Sequence, residues 1–306
     1  MDVVVTRGLT KTFGETRAVE GLDLAIAEGE IFGLVGPDGA GKTTTLRMLA
    51  SIMDPSSGDA FILGRHTVRE AAAVKDQIAY MSQRFGLYPD LTVLENLVFY
   101  ADLYGVSRRE RDAQIDRLLA FSNMAPFRKR RAGNLSGGMK QKLGLACALI
   151  HAPKVLLLDE PTNGVDPVSR REFWRILYHL LKEGVTIVVS TAYLEEAERC
   201  SRVAFLHEGK LAAVDTPAAL HRLLPGRVLE VRTNETRGTA ERLRDSLGAA
   251  NVMVFGDRVD VSPAAKSSAD SIRELLGHEN IEVESIDSVE PKLENVFVAL
   301  LSGGTP

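Results

Sequence analysis

The residues best suited to chemistry lie in Gly36-Pro37-Asp38-Gly39-Ala40-Gly41-Lys42-Thr43-Thr44, which fits the pattern G-x-x-x-x-G-K-[ST]. The short apolar run Ile31–Val35 precedes it as a buried strand would, and the residues from Lys42 to about Met53 read as a helix. A strand, a glycine-rich loop and a helix in that order make a phosphate-binding loop, or P-loop. The glycines let backbone N–H groups curl around phosphate oxygens, and the helix N-terminus adds partial positive charge. In such a loop Lys42 reaches the β- and γ-phosphates of a nucleotide and the Thr43 hydroxyl holds Mg²⁺.

Two further constellations fit that chemistry. Val155-Leu156-Leu157-Leu158 is an apolar strand that delivers Asp159 and Glu160 at its C-terminal end. Beside a P-loop, the first carboxylate completes a Mg²⁺ sphere and the second can polarise an attacking water as general base. Ser136-Gly137-Gly138 opens a helix and is either a second anion site or a plain N-cap.

The elements that must position these residues alternate between strand and helix. Val3–Thr6 and Leu22–Ile26 read as strands, and 68–82 as a helix followed by a strand ending at Ile78–Ser82. Leu94–Tyr104 and Arg109–Met124 have helical periodicity, so 84–150 reads as a helical insertion. Strand character returns at Val155–Leu158 and Val185–Ser190, predicting a parallel sheet covered on both faces. Composition shifts at Leu224-Pro225-Gly226. Beyond it Val228–Thr233, Glu241–Leu247, Val252–Phe255, Val259–Val261, Ser268–Leu276 and Ile281–Ile286 read βαββαβ, with a closing helix at Asn295–Leu301. That order suggests a small α+β ferredoxin-like domain. The expected boundaries are 1–222 for the P-loop α/β domain and 226–301 for the second.

Composition excludes several classes. Hydrophobic residues make up 45% of the 306 residues and charged ones 25%, which is ordinary globular composition. Lys+Arg 37 against Asp+Glu 41 gives a net charge of −4, which argues against a nucleic-acid partner. Cys147 and Cys200 lack metal-ligand spacing, and the six histidines are scattered, so no protein-bound cysteine or histidine metal site is expected. The start Met1–Gly14 has no apolar leader and no run approaches about 20 apolar residues, so a soluble cytoplasmic chain is expected. Arg128-Lys129-Arg130-Arg131 reads as a solvated helix end or as a contact for lipid or acidic partners, and Phe173 and Trp174 read as core.

With these motifs in order, the sequence resembles the nucleotide-binding subunit of an ABC transporter over residues 1–220. The resemblance implies ATP and Mg²⁺ as ligands. It implies that Phe13 stacks on adenine and that Gly36, Pro37, Asp38, Gly39, Ala40, Gly41, Lys42, Thr43 and Thr44 hold the phosphates. Gln83 matches the glutamine that senses Mg²⁺ and the γ-phosphate, so Thr43, Gln83 and Asp159 are the expected metal residues. Leu135–Gln141 matches the signature sequence, in which Ser136, Gly137, Gly138 and Gln141 serve the ATP of an opposite subunit. Asn163-Gly164-Val165-Asp166 matches the D-loop. Leu87-Tyr88-Pro89 falls where the family grips its membrane subunit. The implied partners are membrane-spanning permease subunits and a second nucleotide-binding domain, with the chain held peripherally on the inner face of the cell membrane.

Finer likeness is to drug-exporter subunits and to the first half of tandem exporter ATPases. It rests on Gly36-Pro37-Asp38, Phe85-Gly86-Leu87-Tyr88, Gly137–Ala148 and Pro291–Phe297. The terminal Ser302–Pro306 reads as a natural end or a cut at a linker. One position departs from the family. After Val185–Ser190 the family has Ser-Thr-His, whereas this chain has Ser190-Thr191-Ala192-Tyr193. Losing a charge-assisted hydrogen bond of ~1.5–3 kcal/mol would slow chemistry by roughly 10–150-fold. The chain therefore reads as a hydrolysing exporter ATPase with Glu160 as base and Gln83 as coupling element, or as the weak half of an asymmetric pair. Repair ATPases of the superfamily carry a long coiled coil between Gln83 and the signature, and only 51 residues separate Gln83 from Leu135.

Overall fold

The computed structural model describes residues 1–83, 86–278 and 281–301. The expectations placed on Phe85 and on Ser302–Pro306 lie outside the described residues. In chain order the elements of the first part are β1 (Asp2–Phe13), β2 (Thr16–Ala27), β3 (Ile31–Val35), α1 (Lys42–Leu49), β4 (Ser57–Ile62), β5 (Arg65–His66), α2 (Ala71–Lys75) and β6 (Ile78–Met81). They continue as α3 (Val93–Leu103), α4 (Arg108–Phe121), α5 (Gly137–Ala148), β7 (Val155–Asp159), α6 (Pro167–Lys182), β8 (Thr186–Thr191), α7 (Leu194–Ala197), β9 (Arg202–His207), β10 (Lys210–Asp215) and α8 (Pro217–His221). The last part holds β11 (Val228–Thr233), α9 (Thr236–Leu247), β12 (Val252–Phe255), β13 (Arg258–Val261), α10 (Ala269–Gly277), β14 (Val283–Val289) and α11 (Leu293–Leu301).

The chain divides into two compact units. One is Met1–Tyr193 with Cys200–Leu211, and the other is Leu194–Arg199 with the chain from Ala212 onward. The first unit is built on a sheet in which β9-β3-β8-β7-β6 follow one another in that order. β3 pairs in parallel with β8 and β9, and β7 pairs in parallel with β6 and β8. Every residue of β3, β7 and β8 is buried, as sheets covered on both faces require.

Register aligns the carboxyl ends of these strands. Val35 lies opposite Thr191, Asp159 opposite Ser190, and Met81 opposite Leu158. The carboxyl ends of these four strands, β3, β6, β7 and β8, lie on one edge of the sheet, where ligands of open α/β sheets bind. A separate antiparallel sheet, β2-β1-β4-β5, supplies the long β1–β2 hairpin.

Two helices stop earlier than their apolar pattern predicts, for the same reason. α1 ends at Leu49 rather than near Met53 because Ser51 takes a left-handed φ of 56°, and the N–H groups of Ile52 and Met53 turn back to the Arg47 carbonyl. α4 ends at Phe121 rather than Met124. There Ser122 Oγ donates to the Leu118 carbonyl, and Asn123 sits at φ 57°. Strands β4, β5, β9 and β10 are absent from the sequence-based reading, and β1 runs well beyond Thr6 through several bulges.

The second unit carries the antiparallel sheet β12-β13-β11-β14. Numbered within the unit that order is 2-3-1-4, the ferredoxin-like arrangement expected from βαββαβ. Leu243 of α9 and Ile272 of α10 pack with Val231, Val252 and Val259 of the sheet as its core. Leu243 has no exposed surface, so Leu243→Ala should cost about 2–5 kcal/mol. Hydrogen exchange should show lost protection from β11 to β14 and retained protection in β3, β7 and β8. Unchanged protection in β11–β14 would contradict this packing.

Candidate functional site

The P-loop bridges β3 and α1, and its glycines are needed for two different reasons. A side chain at Gly36 would place Cβ 2.2 Å from the Leu206 carbonyl oxygen of β9. Gly41, the N-cap of α1, has φ 97°, and a Cβ there would lie 2.4 Å from the Ala18 carbonyl oxygen. These contacts pull the loop against β9 and the β1–β2 hairpin. They leave the N-terminus of α1 facing a cleft of about 720 Å³. Asp38–Thr44, Gln83, Glu160, Thr16–Ala18 and Glu208 line it.

At the floor of the cleft Lys42 is 4% exposed. Its ammonium donates to the Gly36 carbonyl at 2.8 Å and the Pro37 carbonyl at 3.0 Å, and it pairs with Glu160 Oε1 at 3.1 Å. The three donors of a lysine ammonium thus have three acceptors, and the cation stays where phosphate oxygens would enter. Thr43 Oγ1 donates to Asp159 Oδ1 at 2.8 Å. Asp159 also accepts from Ser190 Oγ at 2.9 Å and from the Tyr80 hydroxyl at 3.1 Å. Burial, and next the Asp159 negative charge, push the Tyr80 hydroxyl up to about 12, with Arg47 opposing.

Glu160 stands at φ 46°, a conformation that costs a non-glycine residue of order 1–3 kcal/mol. Its N–H donates to Ser190 Oγ at 3.0 Å. Its Oε2 accepts from Gln83 Nε2 at 3.0 Å and Asn163 Nδ2 at 3.3 Å. The strained turn at the end of β7 aims the carboxylate back over the P-loop instead of along the strand. The D-loop continues from there. Asp166 caps α6 by accepting from the Val168 and Ser169 N–H groups. The Ser169 hydroxyl and those N–H groups hold its carboxyl below the usual aspartate range.

The structure thus brings together Gly36–Thr44, Gln83, Asp159 and Glu160. It does not bring Phe13 or Ser136–Gln141 into the cleft lining. Phe13 ends β1 as a 47% exposed residue, and Lys11 Nζ lies 5.3 Å from its ring centroid. Ser136 caps α5, its hydroxyl accepting from the Met139 N–H. Gly138 packs so closely on Ser169 that a Cβ there would lie 2.4 Å from the serine Cβ, so the signature turn abuts the D-loop helix. Ala192 is exposed just past β8, and Tyr193 beside it lies under the Arg170 guanidinium at 4.5 Å.

Tyr80 and Ser190 were not singled out by sequence reasoning, since only strand register carries their hydroxyls to Asp159. Thr16–Ala18 and Glu208 were missed too: Thr16–Ala18 open β2 ahead of its apolar stretch, and Glu208 follows β9, whose apolar run Val203–Leu206 was a signal that could have found it. Among the described residues no group of three or more His, Cys, Asp or Glu forms a metal cluster, and no helix is long and apolar enough to cross a membrane. A Mg²⁺ site fits the donors present. Thr43 and Asp159 offer oxygen ligands at one point, and such ions take the rest from waters and substrate phosphates.

The sequence profile of the ABC transporter family matches residues 19–163. The daunorubicin/doxorubicin resistance ATP-binding protein DrrA of Streptomyces peucetius is 35% identical over 97% of this chain and 92% of its own length. The chain belongs to the ABC transporter family. A second relative is the probable multidrug ABC transporter ATP-binding protein YbhF of Escherichia coli (strain K12), 44% identical over 99% of this chain. The chain spans 53% of that relative's length. Among solved structures, a dimeric ATP-binding cassette in a post-hydrolysis state bound to ADP and Pi superposes with a TM-score of 0.63. It is 28% identical and covers 70% of this chain and 98% of its own.

As an ABC nucleotide cleft, this one depends on the P-loop lying flush against β9. Gly36→Ala should weaken ATP binding about ten- to a hundredfold, because a backbone carbonyl cannot move aside. Gly39→Ala, at φ 80° but in open space, should lose less. Equal losses in a fluorescent-nucleotide titration would contradict the packing argument.

Proposed function

We propose that the chain is the ATP-binding subunit of an exporter, binding and hydrolysing Mg-ATP to drive efflux through separate membrane-spanning permease subunits. The observation that carries the reading is the meeting of Lys42, Thr43, Asp159 and Glu160 at the aligned ends of β3, β7 and β8. The multidrug and drug-resistance names of the relatives support an export role.

In this reading, incoming phosphate oxygens replace Glu160 and the loop carbonyls around the Lys42 ammonium, while the N-terminus of α1 receives the same phosphates. Thr43 and Asp159 hold the metal, with Gln83 beside them. When bound, Mg²⁺ neutralises charge on the β- and γ-phosphates. Glu160, released from Lys42, polarises the attacking water as general base. Gln83, hydrogen-bonded to Glu160 and next to the helical block, couples the site to the permease. The ring of the exposed Phe13 stacks on adenine, at the end of a hairpin whose Thr16–Ala18 line the cleft. Ser136, Gly137, Gly138 and Gln141 serve the γ-phosphate held by a second nucleotide-binding domain. The exposure of Ser136 and Gly137 at a helix N-terminus supports this. The working place is the cytoplasmic face of the cell membrane.

Ala192 favours a second reading, a catalytically weak partner in an asymmetric pair whose signature turn activates a competent subunit. Its methyl group is exposed at the end of β8 and offers no hydrogen bond to a phosphate. Steady-state Mg-ATP hydrolysis across protein concentration, beside Ala192→His, tests both. The histidine should raise turnover by roughly 10–150-fold. An unchanged rate would overturn the assigned defect, and absence of ATP binding would overturn the functional reading itself.

A further inference from the structure

We propose that Tyr80 and Ser190 are positioning residues that present the Asp159 carboxylate to the divalent cation arriving with ATP. The inference rests on the reading of the cleft as a Mg-ATP site and extends it to two residues that do not line the cleft.

Asp159 is 1% exposed, and among the described residues no Lys, Arg or His forms an ion pair with it. Buried carboxylates are paired with cations or coordinate metals. This one is instead surrounded by hydroxyls from three elements. Thr43 of α1 and Ser190 of β8 donate to Oδ1, and Tyr80 of β6 donates to Oδ2. A lysine or arginine in either place would compete with the metal for the negative charge. Neutral hydroxyl donors fix the carboxylate plane and leave its charge unneutralised. Of these hydroxyls, only that of Thr43 belongs to a cleft-lining residue.

Ser190 has a second contact that Tyr80 lacks. Its oxygen donates to Asp159 and accepts the Glu160 N–H. A hydroxyl carries one proton and two acceptor lone pairs, so one side chain can serve both neighbours. Ser190 therefore ties the orientation of the metal carboxylate to the strained turn that aims the general base. Tyr80 holds the metal carboxylate and also meets Arg47, and it has no hydrogen bond to that turn.

The two contact sets separate in a titration of a fluorescent ATP analogue, first in EDTA and then with rising Mg²⁺. Tyr80→Phe and Ser190→Ala should bind the analogue in EDTA as the parent does. Each should need about tenfold more Mg²⁺ for the half-maximal effect, as loss of a partner behind a metal ligand typically does. At saturating Mg²⁺ the hydrolysis rate should recover in Tyr80→Phe and stay depressed in Ser190→Ala. A lowered melting temperature with the Mg²⁺ half-point unmoved in both variants would make the residues merely structural and overturn the proposal. Equal losses with and without Mg²⁺ would also overturn it, by locating the damage in the P-loop. A parent protein whose ATP binding ignores Mg²⁺ would remove the functional reading, and this inference with it. Should Ser190→Ala fail to fold, Tyr80→Phe decides alone.

Discussion

The pairing of β7 with β8 is the constraint on which the site depends. It sets Asp159 opposite Ser190, and through the Ser190 hydroxyl it joins one carboxylate to the backbone N–H of the next. A slip of one residue would send every side chain of the slipped strand to the other face, and Asp159 would lose Thr43 and Ser190 together. The buried, apolar lengths of β3, β7 and β8 hold that register. Hydrophobic burial in the sheet thus pins polar chemistry at its edge, and the left-handed backbone at Glu160 is sustained by the surrounding structure.

Lys42 and Glu160 form the other organising contact. At 4% and 12% side-chain exposure the pair is largely desolvated. Removal of one member of a buried pair typically costs about 3–5 kcal/mol, while the pair itself contributes little net stability. Such a pair suits exchange: phosphate oxygens entering the loop can take over the lysine with little net change in burial. Glu160 then remains held by Gln83 and Asn163.

Much of this was legible in the sequence because the signals were local. The glycine spacing from Gly36 to Gly41, the apolar run ending in Asp159, and the βαββαβ order after Leu224 are short patterns with direct geometric meaning. What was not legible depends on distant partners. β1 is bulged and carries Arg7, Thr10 and Lys11 among its apolar residues, so its strand period is broken beyond Thr6. β10 is partly exposed along its length and is defined by sheet pairing more than by composition, whereas the apolar run Val203–Leu206 of β9 was a local signal that went unread. The early ends of α1 and α4 turn on single left-handed residues, Ser51 and Asn123, whose identities only weakly announce that backbone. Tyr80 and Ser190 read as ordinary strand residues until register sets them beside Asp159.

That Glu160 is a catalytic base aimed by its strained turn, rather than a counter-ion for Lys42 alone, is most directly tested by single-turnover hydrolysis of bound Mg-ATP with Glu160→Gln beside the parent protein. The amide keeps the size of the side chain and cannot accept a proton from water. ATP binding should persist while hydrolysis falls by about 10²–10⁴-fold, the usual contribution of a general base. An unchanged hydrolysis rate in Glu160→Gln would contradict the role assigned to this carboxylate.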